Sequence, residues 1–284
     1  MILITGASGN VGGAVLKEAL KTNTPLRAMY RTREDAGKAP AGVSTAIADF
    51  SDKQSLRGAL DGVTAVYLVC SPVPELVELE GNVVDVCRES GVRHLVLNSA
   101  LGAGDYPKSF PGWHRKVEEK VKSSGLDYTI LRPNTFMQNI PAFYAPSIRA
   151  EGAFYAAMGT ARTSFIDVRD IAVAAVKALT APGHAGNTYE LNGPEALTYS
   201  DLAGKISRVS GRKVQYVDIP AEQQKQAMLS RQMPEWLVTA LLDLQAYYTA
   251  GQGGEVDDVL ANLLGRAPTT MDQFLAEFAD SFKP

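Results

Sequence analysis

The sequence predicts a doubly wound α/β fold, a parallel sheet covered by helices on both faces, joined to a smaller and mostly helical C-terminal domain. Three observations carry this expectation. Over roughly the first 130 residues, short β-branched runs alternate with longer amphipathic stretches, the pattern of repeated βαβ units. A glycine-rich turn, Gly6-Ala7-Ser8-Gly9-Asn10-Val11-Gly12, follows the first apolar run directly. After Leu131 the alternation loosens into a stretch where Pro133, Pro141 and Pro146 mix with many aromatics.

Strands are expected at 1–5, 26–30, 44–48, 65–69, 94–98 and 128–131, with helices at 11–21, 53–59, 75–89 and 113–123 between them. The helix at 75–89 carries Leu76, Leu79, Val83, Val86 and Cys87 at close to a 3.6-residue period, with acids opposite, so it covers a sheet on one face only. In the proline-rich stretch that follows, no long regular helix is expected. Regular structure resumes at 164–168, with a helix at 170–179, a strand at 187–191, a helix at 200–209 and a strand at 214–219. The remainder is expected to be helical through Pro284, broken at 251–254 and at Pro268. This divides the chain into a nucleotide-binding domain, 1–133 plus 162–181, and a smaller substrate-binding domain, 134–161 plus 182–284.

Composition narrows the function classes. The 284 residues, 45% hydrophobic and 21% charged, suffice for one large core or a core with a smaller satellite. A net charge of −3 and the lack of any Lys/Arg-rich run argue against a nucleic-acid partner. The apolar start is broken at once by Thr5-Gly6, too short for a signal segment or a membrane span, which places the chain in the cytoplasm as an expectation. Cys70 and Cys87 have no ligand-like spacing to His94, His114 or His184, so no metal site is expected.

The glycine turn is the strongest chemical signal because it joins a strand to a helix. Backbone N–H groups at a helix start bind phosphate, and glycines let a pyrophosphate approach. Gly6 would make the turn, Gly9 admit the phosphates and Gly12 let the helix lie close to the strand, with Ser8, Asn10 and Val11 in the same cradle. At the end of the second strand an acid would select NAD and an Arg would accommodate the 2′-phosphate of NADP. The chain reads Met29-Tyr30-Arg31-Thr32-Arg33 there, with no acid before Glu34, so NADP(H) is the expected cofactor; a solvated surface role for Arg31 is the alternative. Asp49 either accepts from the adenine amino group or, like Ser51, caps the helix starting near Lys53. Cys70-Ser71 and Asn98-Ser99 close the fourth and fifth strands, where ligands of such sheets bind.

The whole pattern resembles the NmrA-like family of atypical short-chain dehydrogenase/reductases. The resemblance rests on the glycine turn, on Leu131-Arg132-Pro133-Asn134-Thr135-Phe136-Met137-Gln138-Asn139, on Phe165-Ile166-Asp167-Val168-Arg169-Asp170-Ile171-Ala172, and on Leu197-Thr198-Tyr199 and Gly265-Arg266-Ala267-Pro268. It spans nearly the whole chain. It implies a Rossmann domain, NADP(H), and either reduction of quinones or dyes or non-enzymatic sensing of the cofactor. Pro133, Asn134 and Phe136 join the expected cofactor-contacting set.

Typical members of the wider superfamily carry Tyr-x-x-x-Lys on the fifth helix. Here Phe110 falls at the tyrosine position and His114 at the lysine position, so the tyrosine acid is absent. Reduction of an ordinary ketone needs such an acid, whereas a quinone or another electron-poor conjugated acceptor spreads the incoming charge. Ser99, matching the superfamily serine, would hydrogen-bond an acceptor oxygen, or else satisfy local backbone. His114 and Glu118, four apart, share a helix face, either orienting the imidazole toward the nicotinamide ribose or forming a surface pair. Phe136, Met137, Phe143, Tyr144, Phe154, Tyr155 and Met158 form either core or a flat apolar pocket over the nicotinamide, with Asn134 and Asn139 as its polar contacts.

Two functions follow from this. One is an NADPH-dependent reductase of a small aromatic or quinone-like substrate, with Ser99 and His114 as catalytic residues. The other is an NADP(H)-binding redox sensor without turnover. Sugar epimerisation is disfavoured by the missing Tyr-x-x-x-Lys pair, and a homodimer is an open assembly.

Overall fold

The computed structural model describes residues 1–283. Its main sheet contains β1 (Ile2–Ile4), β2 (Leu26–Tyr30), β3 (Ser44–Ile47), β4 (Ala65–Leu68), β5 (His94–Asn98), β6 (Asp127–Pro133) and β8 (Asn187–Leu191), in the order β3-β2-β1-β4-β5-β6-β8. The pairings from β3 across to β6 are parallel, with Ile2 opposite both Leu26 and Ala65. Helices cover both faces of β1, and all three of its residues are buried; a strand in that position reads as a continuous apolar run.

Helices α1 (Asn10–Ala19) and α7 (Val168–Thr180) pack on each other, while α3 (Lys53–Leu60), α4 (Leu76–Glu89) and α5 (Ser109–Lys122) pack in sequence. A core cluster joins Leu56, Leu60, Val83, Val117 and Val121 to Leu3, Val66 and Leu95 of the sheet. The strand order reverses between β1 and β4, and the carboxyl ends at such a switch point form the ligand crevice of this fold class. A short helix not expected from the sequence, α2 (Arg33–Ala36), follows β2 and is capped by Thr32, whose Oγ1 accepts from the Asp35 N–H at 3.1 Å.

The chain divides into two compact units. The first comprises Met1–Arg132 and Val168–Glu190, the second Pro133–Asp167 and Leu191–Pro284. The strand β8 therefore belongs to the first unit up to Glu190, whereas the sequence reading assigns it to the second.

In the second unit the prolines do not break the chain as expected. A 13-residue helix, α6 (Asn139–Glu151), runs through them. Pro141 lies in its first turn, where an N–H has no intrahelical acceptor in any case. Only Pro146 is interior, and the burial of Ile140, Ala145 and Ile148 offsets its missing bond. The helix ends at Gly152, which takes a left-handed φ of 69°. Next comes β7 (Ala153–Ala156), also unexpected, pairing in parallel with β9 (Gln215–Asp218).

Residues 164–168 form no strand beyond a single bridge between Ile166 and Phe136. The polar groups of Ser164 go to loop carbonyls instead, its N–H to Gly253 at 2.9 Å and its Oγ to Glu255 at 2.6 Å. The helices α8 (Tyr199–Ser210), α9 (Ala221–Ser230), α10 (Glu235–Thr249), α11 (Val259–Leu264) and α12 (Met271–Glu277) follow, and a 3₁₀ turn at Ala279–Phe282 ends the described chain. The expected helical end at Pro284 lies outside the described residues. Capping boxes at Thr198/Asp201 and Thr270/Gln273 fix the starts of α8 and α12. Among the described residues no helix is long and apolar enough to cross a membrane.

Candidate active site

The glycine turn is held by contacts that admit no side chain. Gly6 has a φ of 59°, and a Cβ there would lie 2.8 Å from Val69 Cγ1. A Cβ on Gly12 would lie 2.2 Å from the Gly6 carbonyl oxygen, so α1 rests directly on the turn. Gly9 is the N-cap and supplies no side-chain acceptor, and no acid stands in the first turn of α1. The first N–H groups of the helix are thus left to an outside acceptor at the positive end of its dipole. Ser8, Gly9 and Asn10 are exposed, whereas Val11 faces the core and can offer only its N–H. A groove of about 510 Å³ runs beside the turn, bordered by Ser8, Gly13, Tyr30, Asp35 and Lys38.

Arg31, at the end of β2, is exposed, and among the described residues its guanidinium has no hydrogen-bond or ion-pair partner. The nearby acids are committed: Glu34 to Lys38 at 3.0 Å, and Asp35 to the Thr32 hydroxyl at 2.9 Å. Asp49 does not cap α3, as one reading of the sequence had it. Asp52 does, accepting from the Gln54 N–H at 2.9 Å. Oδ1 of Asp49 instead accepts from the Ser51 N–H and Oγ, at 2.8 and 2.6 Å. These bonds, with help from the Arg31 charge, hold its carboxyl below the usual range. Ser71 is exposed, and Cys70 is half-buried, with a thiol that burial pushes up to about 12. Below them Glu80 of α4 is fully buried, and neither of its oxygens has a hydrogen-bond partner. Burial pushes its carboxyl well above the ordinary value, and the polar Cys70 N–H, which makes no close hydrogen bond to it, offsets only part of this.

At the end of β5 the polar groups form a closed network. Asn98 accepts from the Tyr67 hydroxyl at 3.0 Å, both side chains buried. The Ser99 hydroxyl donates to Glu118 Oε1 at 2.6 Å. Glu118 also receives Arg132, Nε at 2.9 Å and Nη2 at 2.7 Å, and Arg132 reaches on to Glu190 at 3.2 Å. Burial pushes the Glu118 carboxyl up, but the bonds from Arg132 and Ser99 outweigh this and keep it ionised. Two expectations change here. The Ser99 proton is committed to a carboxylate, so Ser99 neither satisfies local backbone with it nor has it free for an acceptor. His114 and Glu118 are both buried, so they are not a surface pair.

Burial lowers the His114 imidazole to about 4 against the opposing pull of Glu118, which leaves it neutral near pH 7. Its Nδ1 is buried and has no hydrogen-bond partner. Phe110, one turn earlier, packs edge-on against Trp113 with ring centroids 5.4 Å apart.

In the second unit Pro133 is buried at the end of β6 and Phe136 is half-buried at the bridge to Ile166. The Asn134 amide is fully occupied. Nδ2 donates to Asn192 Oδ1 and Gly253 O at 3.0 and 2.9 Å, while Oδ1 accepts from the Thr135 N–H and Tyr248 hydroxyl at 2.8 and 3.1 Å. No side-chain polar atom of Asn134 is left for a cofactor or pocket, which corrects the expectation placed on it.

A cavity of about 400 Å³ opens in this unit. Phe143, Tyr144, Tyr155, Met158 and Asn139 line it, whereas Phe136 and Met137 do not; Met137 is fully buried, and Phe154 is core, packed against Tyr144, Tyr199 and Tyr216. Thr135, Phe165 and Tyr199 add to the walls, and much of the remainder comes from α9 and α10, which carry no motif. Glu118 could be found from its i+4 spacing to His114, whereas nothing in the sequence signals the roles of Arg132 or Tyr248.

Comparison with known proteins agrees with this geometry. An NAD(P)H azoreductase from Xenophilus azovorans is 36% identical over 284 residues, covering 99% of each chain. A (4-alkanoyl-5-oxo-2,5-dihydrofuran-3-yl)methyl phosphate reductase from Streptomyces griseus is 33% identical over the full length of both. A crystal structure of an NADPH-dependent quinone oxidoreductase from Escherichia coli, complexed with NADPH, superposes with a TM-score of 0.91 at 29% identity, covering 98% of this chain and 99% of the other. The profile of the NmrA-like family matches residues 1–275, and the chain belongs to that family.

Proposed function

We infer that the chain is an NADPH-dependent oxidoreductase whose acceptor is a quinone-like or dye-like conjugated aromatic molecule. The residues present fit the dinucleotide. A helix start without a side-chain cap lies on a turn that excludes side chains, an unpaired Arg31 stands where a 2′-phosphate would be bound, and the orphaned Nδ1 of His114 needs a partner. Ser8, Gly9, Asn10 and the backbone of Val11 and Gly12 would hold the pyrophosphate, Arg31 the 2′-phosphate, and Asp49 and Ser71 would border the adenosine. When bound, NADPH supplies a hydride.

The chain's own groups orient rather than protonate. His114, neutral at working pH, can give or take one hydrogen bond through Nδ1, which suits a ribose hydroxyl. Glu118 fixes the Ser99 proton, which leaves the serine oxygen to act as an acceptor only. Arg132 keeps Glu118 ionised, so no proton is released from this network near neutrality.

One observation carries the reading: the position that would hold a tyrosine acid is a phenyl ring packed on an indole, and the proton of Ser99 is committed to Glu118. An acceptor that develops localised charge would find no donor there. A delocalised acceptor needs only positioning and takes its proton from water.

The test follows nicotinamide absorbance while a panel of quinones and azo dyes is added to enzyme and NADPH. Oxidation that depends on the acceptor is expected. Tight NADPH binding with no oxidation across the panel would overturn the reading in favour of cofactor sensing.

A further inference from the structure

The cavity of the second unit carries a chemical bias in two polar groups. Its walls are largely apolar, with Phe143, Tyr144, Met228, Met233 and Tyr248 among them, and Arg231 is the only charged side chain lining it among the described residues. Among the described residues no hydrogen bond or ion pair engages the exposed Arg231 guanidinium, and no acid lines the cavity to neutralise it.

The position of Arg231 is set by backbone geometry. It ends α9, and the next residue, Gln232, takes a φ of 59° although it is not glycine. The corner is closed by the Gln232 N–H to Leu229 O at 2.9 Å and the Met233 N–H to Met228 O at 3.2 Å. These two bonds form a Schellman cap, in which the residue after the helix cap takes the left-handed conformation, and they fix the backbone from which the exposed Arg231 side chain leaves α9. No residue of α9 is buried, yet Gln223, Gln224, Ala227 and Met228, on the same face as Arg231, all border the cavity.

The second group is Gln245 of α10, 9% exposed and also in the lining. Its Nε2 donates to Ala157 O and, at 3.2 Å, to Gln224 Oε1, which fixes the amide's orientation. Its Oε1 is buried and has no donor. A buried acceptor left unmatched is costly, and a ligand hydroxyl or N–H would satisfy it.

We propose that this cavity binds the acceptor and selects flat conjugated rings bearing an acidic oxyanion substituent, which pairs with Arg231, and a ring hydroxyl or N–H, which donates to Gln245. Arg231 is thereby a specificity-determining residue. The proposal rests on the reductase reading, whose substrate class it narrows. A volume of about 400 Å³ suits two or three fused or linked rings.

The experiment has a binding arm and a turnover arm. In the first, affinities of hydroxynaphthalene sulfonate, naphthalene sulfonate and neutral hydroxynaphthalene are measured on the full chain by calorimetry. The sulfonate is expected to tighten binding about tenfold and the hydroxyl about fivefold, the sulfonate gain shrinking with added salt. Arg231→Met should collapse the ratio of sulfonated to neutral affinity, and Arg231→Lys should retain most of it. Thermal unfolding of both variants verifies the fold.

In the second arm, NADPH oxidation is followed with naphthoquinone and naphthoquinone sulfonate. Turnover without preference for the sulfonated acceptor, or a preference that Arg231→Met leaves intact, overturns the proposal. Equal binding of the hydroxylated and plain sulfonates removes Gln245 from it. No turnover alongside charge-selective, Arg231-dependent binding would strike the reductase reading and leave the charge selectivity standing.

Discussion

The Ser99–Glu118–Arg132 network of the first unit and the cavity of the second handle polarity in opposite ways. In the first, buried charge is cross-committed: Ser99, Glu118, Arg132 and Glu190 form one chain of hydrogen bonds, and His114 stays neutral beside it. In the second, a largely apolar cavity keeps two polar groups, the exposed Arg231 guanidinium and the buried Gln245 carbonyl, without hydrogen-bond partners among the described residues. A closed network gives rigidity and a fixed protonation state, which suits a single cofactor common to every turnover. Uncommitted groups around a cavity give selectivity that can change with a few substitutions.

The comparison breaks first at Arg132. Replacing it with Met should leave Glu118 ionisable, buried and stripped of its main partner, at a cost of about 3–5 kcal/mol in a urea unfolding experiment. A loss below about 1 kcal/mol, the range of a surface ion pair, would mean the network is not closed as described.

Next in size is the pH dependence carried by His114. Its folded value of about 4 lies below the ordinary 6.5, so between these values the unfolded chain binds the extra proton. Stability therefore falls as pH drops through that window, by up to ~3 kcal/mol once both values are passed. Acidification also weakens the carboxylates, so the informative quantity is the difference from His114→Gln. The wild type should lose more stability than the variant between pH 7 and pH 4, and parallel losses would show that the imidazole is not held neutral by the fold.

The smallest effect is expected at Arg31. An exposed guanidinium meeting a phosphate is worth about 1.4 kcal/mol, or tenfold, so Arg31→Ala should reduce the NADPH over NADH preference by roughly that factor. Calorimetry with both cofactors reads it directly. An unchanged ratio would put the 2′-phosphate elsewhere, for instance near Lys38 in the groove beside the turn.

The first unit was the more legible in sequence, for a physical reason. A buried parallel strand such as Ile2–Ile4 and a turn needing glycine at a φ of 59° each tolerate few residue types, so local sequence records them. The second unit is built from compensations. Pro146 inside α6 is tolerated only because Ile140, Ala145 and Ile148 are buried, a tertiary effect that proline content alone misreads. The short β7 pairs with β9 more than 60 residues away in sequence, beyond any local periodicity. At the site, Ser99 and His114 were identifiable by position. That Ser99 points its proton at Glu118, and that Asn134 is fully occupied by Asn192, Gly253, Thr135 and Tyr248, depend on residues brought together only by folding.

Glu80 makes the folding reaction a proton-exchange reaction. Its carboxyl, ordinarily near 4.5, is raised well above that by complete burial, so at any pH between the two values the chain takes up a proton from the buffer as it folds. His114 does the reverse between about 4 and 6.5, surrendering a proton on entering the fold. Just above 4.5 and below 6.5 the two transfers oppose each other. The heat of unfolding then includes the ionisation heat of whatever buffer is present, and calorimetry in two buffers of different ionisation enthalpy would count the protons.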